Sequence, residues 1–544
     1  MTDRTVIGTA RSNALAIATA LATVLSLSPP VAAQSARPVL SGESGVFAES
    51  YGIDGRAARR PTQSARFYAS PTLSWLGMEI GTNLMWSTED AFTAQTMQRL
   101  YLNPRWSWGE VHAGDYTPAM SRFTATAVRI RGGGVDLTPG RFRVAAAGGL
   151  AQDATDRSAF DAAPRRVIYA GLVGYGEPTG AFIELSALRA ADDSAGTDSL
   201  SVAPQENVVG ALAAGVTLGR VRLRTEVGAS AFSRDIRASE LDSTSQPAAG
   251  GVFTPRLSSR VDGAYSLEAR LALGNGSVAV LAEQIGPGFT SLGNPYLAND
   301  RREGRLSANL RLFRNRLSTA ASVGLRHDNL ANDKRGTTRR RTGSFMATLV
   351  GGPRSVTSVG LMMNGLTLSP APLPPGTPDP GAIDSFRLRN ITLAVTALQQ
   401  LRFGSHTISL AMAAQDMNDE SPRFGDVLDA RSSSVNLDWT VAIRQMQFSL
   451  RPGHQRFSAN GVDDAFTSAG WSLARRVPRS AWNASVAGTW TEVQEGRQWR
   501  HDASFGVRIT ARDQLSMQAR HTSVSGVAEP FTEFVGSMRL TRRW

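Results

Sequence analysis

From about Thr72 to Trp544 the chain repeats one unit, a segment of alternating apolar and polar side chains followed by a break. Val435, Leu437, Trp439, Val441 and Ile443 oppose Asn436, Asp438, Thr440 and Arg444. Leu306, Ala308, Leu310 and Leu312 oppose Arg305, Ser307, Asn309 and Arg311, and Ala503, Phe505, Val507 and Ile509 oppose Ser504, Gly506, Arg508 and Thr510. Side chains of a strand point alternately to its two faces, so each segment reads as a strand with one greasy and one wet side. The final segment keeps the period to the last residue. Phe534, Met538, Leu540 and Trp544 share a face with Arg542, while Val535, Ser537, Arg539, Thr541 and Arg543 take the other. A chain written this way folds as stacked sheets or as one sheet closed on itself.

The breaks decide between the two. Tight turns fall at Gly219, Gly274 to Gly276, Arg314 to Arg316, Gly351 to Pro353, and near Gly404, Pro478 and Asp513. Between them lie longer polar stretches, about 190–205, 232–259, 286–303, 327–340, 365–385 and 416–430. Short and long breaks take turns, so one end of the structure carries turns and the other carries loops. A membrane barrel, with short turns on one side and long loops on the other, requires that asymmetry; a sandwich does not.

The start of the chain agrees. Arg4 and Arg11 precede an apolar run from about Ala14 to Leu27, and small residues Val31 and Ala33 sit before Gln34. This is the pattern of a secretory signal peptide over 1–33. No later segment approaches the ~20 apolar residues of a spanning helix. The chain has no cysteine, which removes disulfides, thiol catalysis and cysteine metal sites from consideration. It has a net charge of +12, and Lys334 is its only lysine.

With signal peptide, alternating strands, two sizes of break and a terminal aromatic strand in place, residues 72–544 resemble the Gram-negative outer-membrane β-barrel proteins. The resemblance implies an all-β fold, one antiparallel transmembrane barrel of about 24 strands (22–26), with 34–71 as a separate periplasmic or lumen-inserted segment. It implies a place in the outer membrane, contact with its lipid and lipopolysaccharide, and assembly by the barrel-assembly machinery. Phe534, Met538, Leu540 and Trp544 match the assembly signal of such proteins; Arg542 departs from it and is expected to reach for headgroups. Two segments, "RIRGGGVDLTPGRFRVAAAGG" and "GPGFTSLGNPYLANDR", resemble parts of large barrels of this kind without carrying a function.

Trp482 and Trp490 share a face eight residues apart. At ~3.3 Å per residue and a tilt of roughly 40° they are separated by about 20 Å of height, close to the apolar band between aromatic girdles; with Trp544 they form the expected girdle. A wide barrel has a lumen to fill. The stretch 34–71 is too short for the plug domain of siderophore-type transporters, so inward-folded loops, this lead-in or a partner are expected to narrow the bore. The leading choices are 232–259 and the Pro-rich "LSPAPLPPGTPDPGAID".

Arg222, Arg224, Arg305, Arg311, Arg444, Arg508 and Arg520 alternate with the apolar face and are expected to line the lumen. There they either brace the wall by pairing with Glu226, Glu268 and Asp438 or attract anions. No HExxH or GxSxG motif is present, and no cofactor is expected. His501 and His521 fall opposite each other on the lipid side, with Ser523 two residues on; two amphipathic rings at headgroup level explain them better than an interfacial hydrolase does. The arginines are spread along strands without a clustered arm, which argues against nucleic acid. Two functions stay open: a channel or transporter for polar or anionic solutes, and an occluded barrel that holds a periplasmic or secretion partner.

Overall fold

The computed structural model describes residues 37–88, 99–154, 163–193, 202–241, 252–370, 387–421, 429–475, 481–493, 496–527 and 529–544. The expected signal peptide and the core of the Pro-rich loop, 371–386, lie outside them.

The described chain is built of 26 strands. The first five are β1 (Val39–Asp54), β2 (Gln63–Trp75), β3 (Met78–Ser87), β4 (Arg99–Trp106) and β5 (Gly109–Tyr116). Next come β6 (Ile130–Leu137), β7 (Phe142–Gln152), β8 (Arg166–Gly176), β9 (Phe182–Asp192) and β10 (Glu206–Leu218). These are followed by β11 (Val221–Ser233), β12 (Ser259–Leu273), β13 (Gly276–Ile285), β14 (Arg301–Leu312) and β15 (Leu317–His327). The longest are β16 (Gly336–Gly352), β17 (Ser355–Pro370) and β18 (Leu388–Phe403). Then come β19 (His406–Asp419), β20 (Ala430–Ile443), β21 (Met446–Ala459) and β22 (Val462–Arg475). The last are β23 (Trp482–Val493), β24 (Gly496–Arg508), β25 (Asp513–Ser525) and β26 (Phe531–Arg543).

Each strand pairs antiparallel with the next, and β26 pairs back onto β1 from Glu43 opposite Arg543 to Asp54 opposite Thr532. The sheet therefore has no free edge. Each strand has a partner on both sides, so the ladder groups are satisfied within the wall apart from short lapses, which is the condition for crossing hydrocarbon without helices. Among the described residues no helix is long and apolar enough to cross a membrane.

The 24 strands read from the repeat are β3–β26. The stretch 34–71 is not a separate segment: Val39–Asp54 and most of Gln63–Trp75 are wall, so the barrel begins at Val39 rather than at 72. Two features blur these strands in a pattern search. β1 alternates through Gly42, Ser44, Gly45 and Gly52, which carry little apolar signal, and β2 contains Pro71. Its missing N–H shows in the ladder, where pairing of β2 with β3 lapses between Ala69 and Thr72. The even strand count survives, so chain start and chain end leave the barrel at the same end.

The expected tight turns all connect an even-numbered strand to the next odd one, and the expected loops connect odd to even. One hairpin at the loop end is also tight, at Asn460–Gly461. The exterior is apolar: Leu306, Val323, Leu325, Leu361, Leu393, Val435 and Phe534 stand exposed on one continuous face. Nothing but hydrocarbon solvates such a surface favourably over a whole circumference.

Candidate functional site: the lumen and two inward-folded loops

Two stretches of the inner wall differ in chemistry. On β8–β10 the middle of the inward face is mostly apolar: Ile168, Ala170, Leu188, Ala190, Val209 and Ala211 are buried although they point into the bore. They are covered by two loops from the loop end, 117–129 between β5 and β6 and 286–300 between β13 and β14. Phe123 of the first and Phe289 of the second meet edge to face, with centroids 5.6 Å apart at 67°, and neither touches solvent appreciably. Burying one such side chain stabilises by about 1.5–3 kcal/mol, which anchors an otherwise polar loop. Gly293 is required at the junction: a Cβ there would stand 2.3 Å from Leu188 Cδ1 and 2.4 Å from the Thr124 carbonyl.

Polar groups complete the seat. The Ser291 hydroxyl donates to the Thr124 carbonyl at 2.6 Å and the Asn294 amide to the Arg122 carbonyl at 2.7 Å, joining loop to loop. Asn207, on the inward face of β10, donates to the Thr290 carbonyl at 3.0 Å and accepts from the Leu292 N–H at 2.9 Å. Buried Glu283 on β13 takes Arg122 of one loop at 2.5 Å and Arg301 at 2.6 Å. Ser121 donates to buried Glu226. Outside the strands, Asp300 closes 286–300 against the next loop. It accepts from the Asn329 and Leu330 N–H groups at 3.0 and 2.8 Å and pairs with Lys334. Burial pushes its carboxyl up, but the Lys334 ammonium and the two N–H groups outweigh that and hold it below the ordinary carboxylate range. The same pair holds the Lys334 ammonium above its usual value.

These are not the loops favoured from sequence. The described ends of 232–259 pair with each other, Leu241 N–H to Pro255 at 3.0 Å and Leu257 N–H to Ser239 at 3.0 Å, and so extend the β11–β12 hairpin. The signal for the true pair was present in two places. Strands β8–β10 are apolar on both faces, which a wall between lipid and water has no use for, and 117–129 and 286–300 carry Met120, Phe123, Val128, Phe289, Leu292 and Leu297. The glycine run of β6 belongs here too. Tyr116 donates to the Gly133 carbonyl at 2.8 Å, and a Cβ on Gly134 would stand 1.9 Å from the Tyr116 hydroxyl. His112, alone of the six histidines, faces inward; it stacks on Tyr116 at 4.7 Å and takes the Tyr101 hydroxyl at 2.8 Å.

Across β20–β25 the inner wall is a polar surface of hydroxyls, amides and ion pairs that no described loop covers. Ser434, Asn436, Ser468, Ser485, Ser504 and Gln518 point inward along it. Of the seven arginines singled out from sequence, six lie on the inward face. Arg305 pairs with Glu303, and Arg520 pairs with Asp502 at 2.8 Å. Arg222 donates to the Pro178 carbonyl, and Arg224 lies 5.7 Å over Phe182. Arg311 and Arg508 have no carboxylate within 4 Å among the described residues. Arg444 is a correction: β20 ends at Ile443, and Arg444 sits in the turn with φ 52°, because the alternation runs on past the point where the ladder stops. Asp438 is braced by Arg451 instead, at 2.6 Å. Glu268 stands opposite Arg224 in register without an ion pair, and Glu226 serves the inward loop.

On the exterior, Trp482 and Trp490 occupy the two ends of β23, with Arg475 stacked 3.8 Å over Trp482. Trp544 extends β26 by pairing with Gly42 at 3.2 Å in both directions. Phe534, Met538 and Leu540 stand exposed on its face, and Arg542 turns to Asp513 at 3.8 Å. His501 and His521 are opposite in register and stacked at 6.3 Å within an outward row that includes Trp499. Asp502, the neighbouring carboxylate, faces inward and is held by Arg500 and Arg520.

A closed antiparallel wall, greasy outside and wet inside, decides the class. It is a β-barrel of the outer-membrane type. No protein-family model and no curated protein matches the sequence. Among solved structures the barrel is similar to the P pilus usher (PapC) translocation pore, at 11% identity over 92% of this chain and 98% of that one, with a TM-score of 0.36. It is similar to the siderophore receptor PirA from Pseudomonas aeruginosa at 11% identity over 93% and 81%, TM-score 0.40. It is also similar to the anion-selective porin from Comamonas acidovorans, at 10% identity over 50% and 96%, TM-score 0.25. At such scores these likenesses carry no functional weight.

Proposed function

We propose that this barrel is an outer-membrane channel for polar solutes, with a preference for anions and a bore narrowed on one side by 117–129 and 286–300. The observation that supports it most is the division of the inner wall. A patch centred on β8–β10 is apolar and covered by the two loops, while the polar surface of β20–β25 is left facing the bore by every described residue. An unpaired charge at the mouth of a wet pore sets the sign of the ion it favours. Arg222, Arg270, Arg311, Arg402, Arg508 and Arg539 all point inward close to the tight-turn ends of β11, β12, β14, β18, β24 and β26. Arg270 and Arg402 reach only neutral partners, Ser277 and Gln400, at 3.0 and 3.5 Å, and Arg539 lies 5.7 Å over Phe47.

Purified barrel in planar bilayers tests this. Steady openings with a reversal potential on the anion side under a low-salt gradient are expected, and R311Q/R402Q/R508Q moves that potential toward zero. Cation preference contradicts the reading. Silent membranes favour the other function, a permanently occluded barrel that holds a partner.

A further inference from the structure

At the loop end the outward face turns polar above its apolar band: Asp416 pairs there with Arg431 and Asp463 with Arg456, and one further row is cationic. Reading across the ladder at the loop end, Gln284 on β13 stands opposite Arg302 on β14, Arg302 opposite His327, His327 opposite Arg339, Arg339 opposite Thr367, and Thr367 opposite Arg389. Residues directly opposite in a ladder share a face. This face is the outward one, since Leu325 and Val323 continue it down β15 at 61% and 59% exposure. Each member of the row lies beyond the apolar stretch of its strand on the outward face. Arg341, two residues below Arg339, projects at the boundary itself.

The chemistry of the row is one-sided. Arg389 is satisfied by Glu420 at 2.7 Å. Arg302 reaches only the neutral Gln284 carbonyl, at 2.8 Å. Arg339 and Arg341 are exposed and have no carboxylate within 4 Å among the described residues. Beside Arg341 the wall is cut back: Gly365 stands opposite it, Gly343 follows on its own strand, and Gly304 lies beyond Leu325. A side chain on Gly304 would meet nothing within 4 Å, so Arg341 has Leu325 on one side and a shallow notch at Gly365 on the other.

We infer that Arg302, Arg339 and Arg341, with His327 between them, form an external binding site for the phosphate groups of a phosphorylated glycolipid in the outer leaflet. Guanidinium binds phosphate in bidentate fashion and loses less on leaving water than ammonium does. Basic side chains at the membrane surface draw anionic headgroups, and at this height on the outward face headgroup phosphate is the anion at hand. The site depends on the barrel's residing in a membrane and not on its conducting, so it stands or falls separately from the channel.

Titration of the purified barrel in detergent with diphosphoryl and monophosphoryl lipid A, followed by native mass spectrometry, tests the site. The wild type is expected to hold the diphosphoryl form at least tenfold more tightly. R302Q/R339Q/R341Q is expected to lose that preference while keeping the heat-shifted gel mobility of a folded barrel, and the matching lysine variant is expected to fall between them. Equal affinity of the wild type for both lipids overturns the inference even if the glutamine variant fails to fold. So does a folded glutamine variant that binds like the wild type, or displacement of the lipid by millimolar inorganic phosphate, which marks a site for a free anion.

Discussion

At the scale of single residues the sharpest test is Asp300. Its carboxylate is held below the ordinary range by Lys334 and two backbone donors, so it releases its proton more readily folded than unfolded. A depressed folded pKa contributes stability that is complete above the unfolded value of ~3.9 and lost as pH falls through the lower folded value. The protection of the Asn329 and Leu330 amides, as exchange relative to the intrinsic rate at each pH, should therefore be flat from neutral pH to about pH 4 and fall only below it. D300N should expose both amides already at neutral pH, by roughly 1–3 kcal/mol of lost protection. A transition near pH 6 would contradict the assignment. Residue scale is also where sequence misleads most. Period-two alternation places Arg222 and Arg520 on the correct face, yet it says nothing of where a strand stops, and Arg444 falls one residue beyond.

At the scale of elements the two inward loops carry the argument. Phe123 and Phe289 hold 117–129 and 286–300 against β8–β10, and replacing a buried phenylalanine by alanine costs ~3–5 kcal/mol. Because the wall itself is untouched, the loss falls on the loops. F123A/F289A should keep the folded gel mobility, become sensitive to protease within both loops, and conduct more per opening. Loops that stay resistant in this variant refute the anchoring role. Barrel strands with one clear apolar face were legible because lipid on one side and water on the other impose the same alternation everywhere. β8–β10 broke that rule because their inner face is covered by protein; β1 is blurred by glycine and serine, and 66–75 drops out of the count because, without β1, it makes the strand number odd.

At the scale of the whole molecule, closure of β26 onto β1 turns a chain without cysteine into one continuous wall. Pairing of every strand with its sequence neighbours made the topology readable from order alone. The contents of the bore were not readable, because they depend on contacts between segments as distant as Thr124 and Ser291. Since the chain has no cysteine, single substitutions report without background. Spin labels placed one at a time along β20 from Val435 to Ile443 measure the central claim directly. Odd positions should be relaxed by oxygen dissolved in lipid, and Asn436, Asp438 and Thr440 by a water-soluble nickel chelate. Labels that respond alike on both faces, or that neither reagent reaches, would contradict a wall with lipid on one side and water on the other.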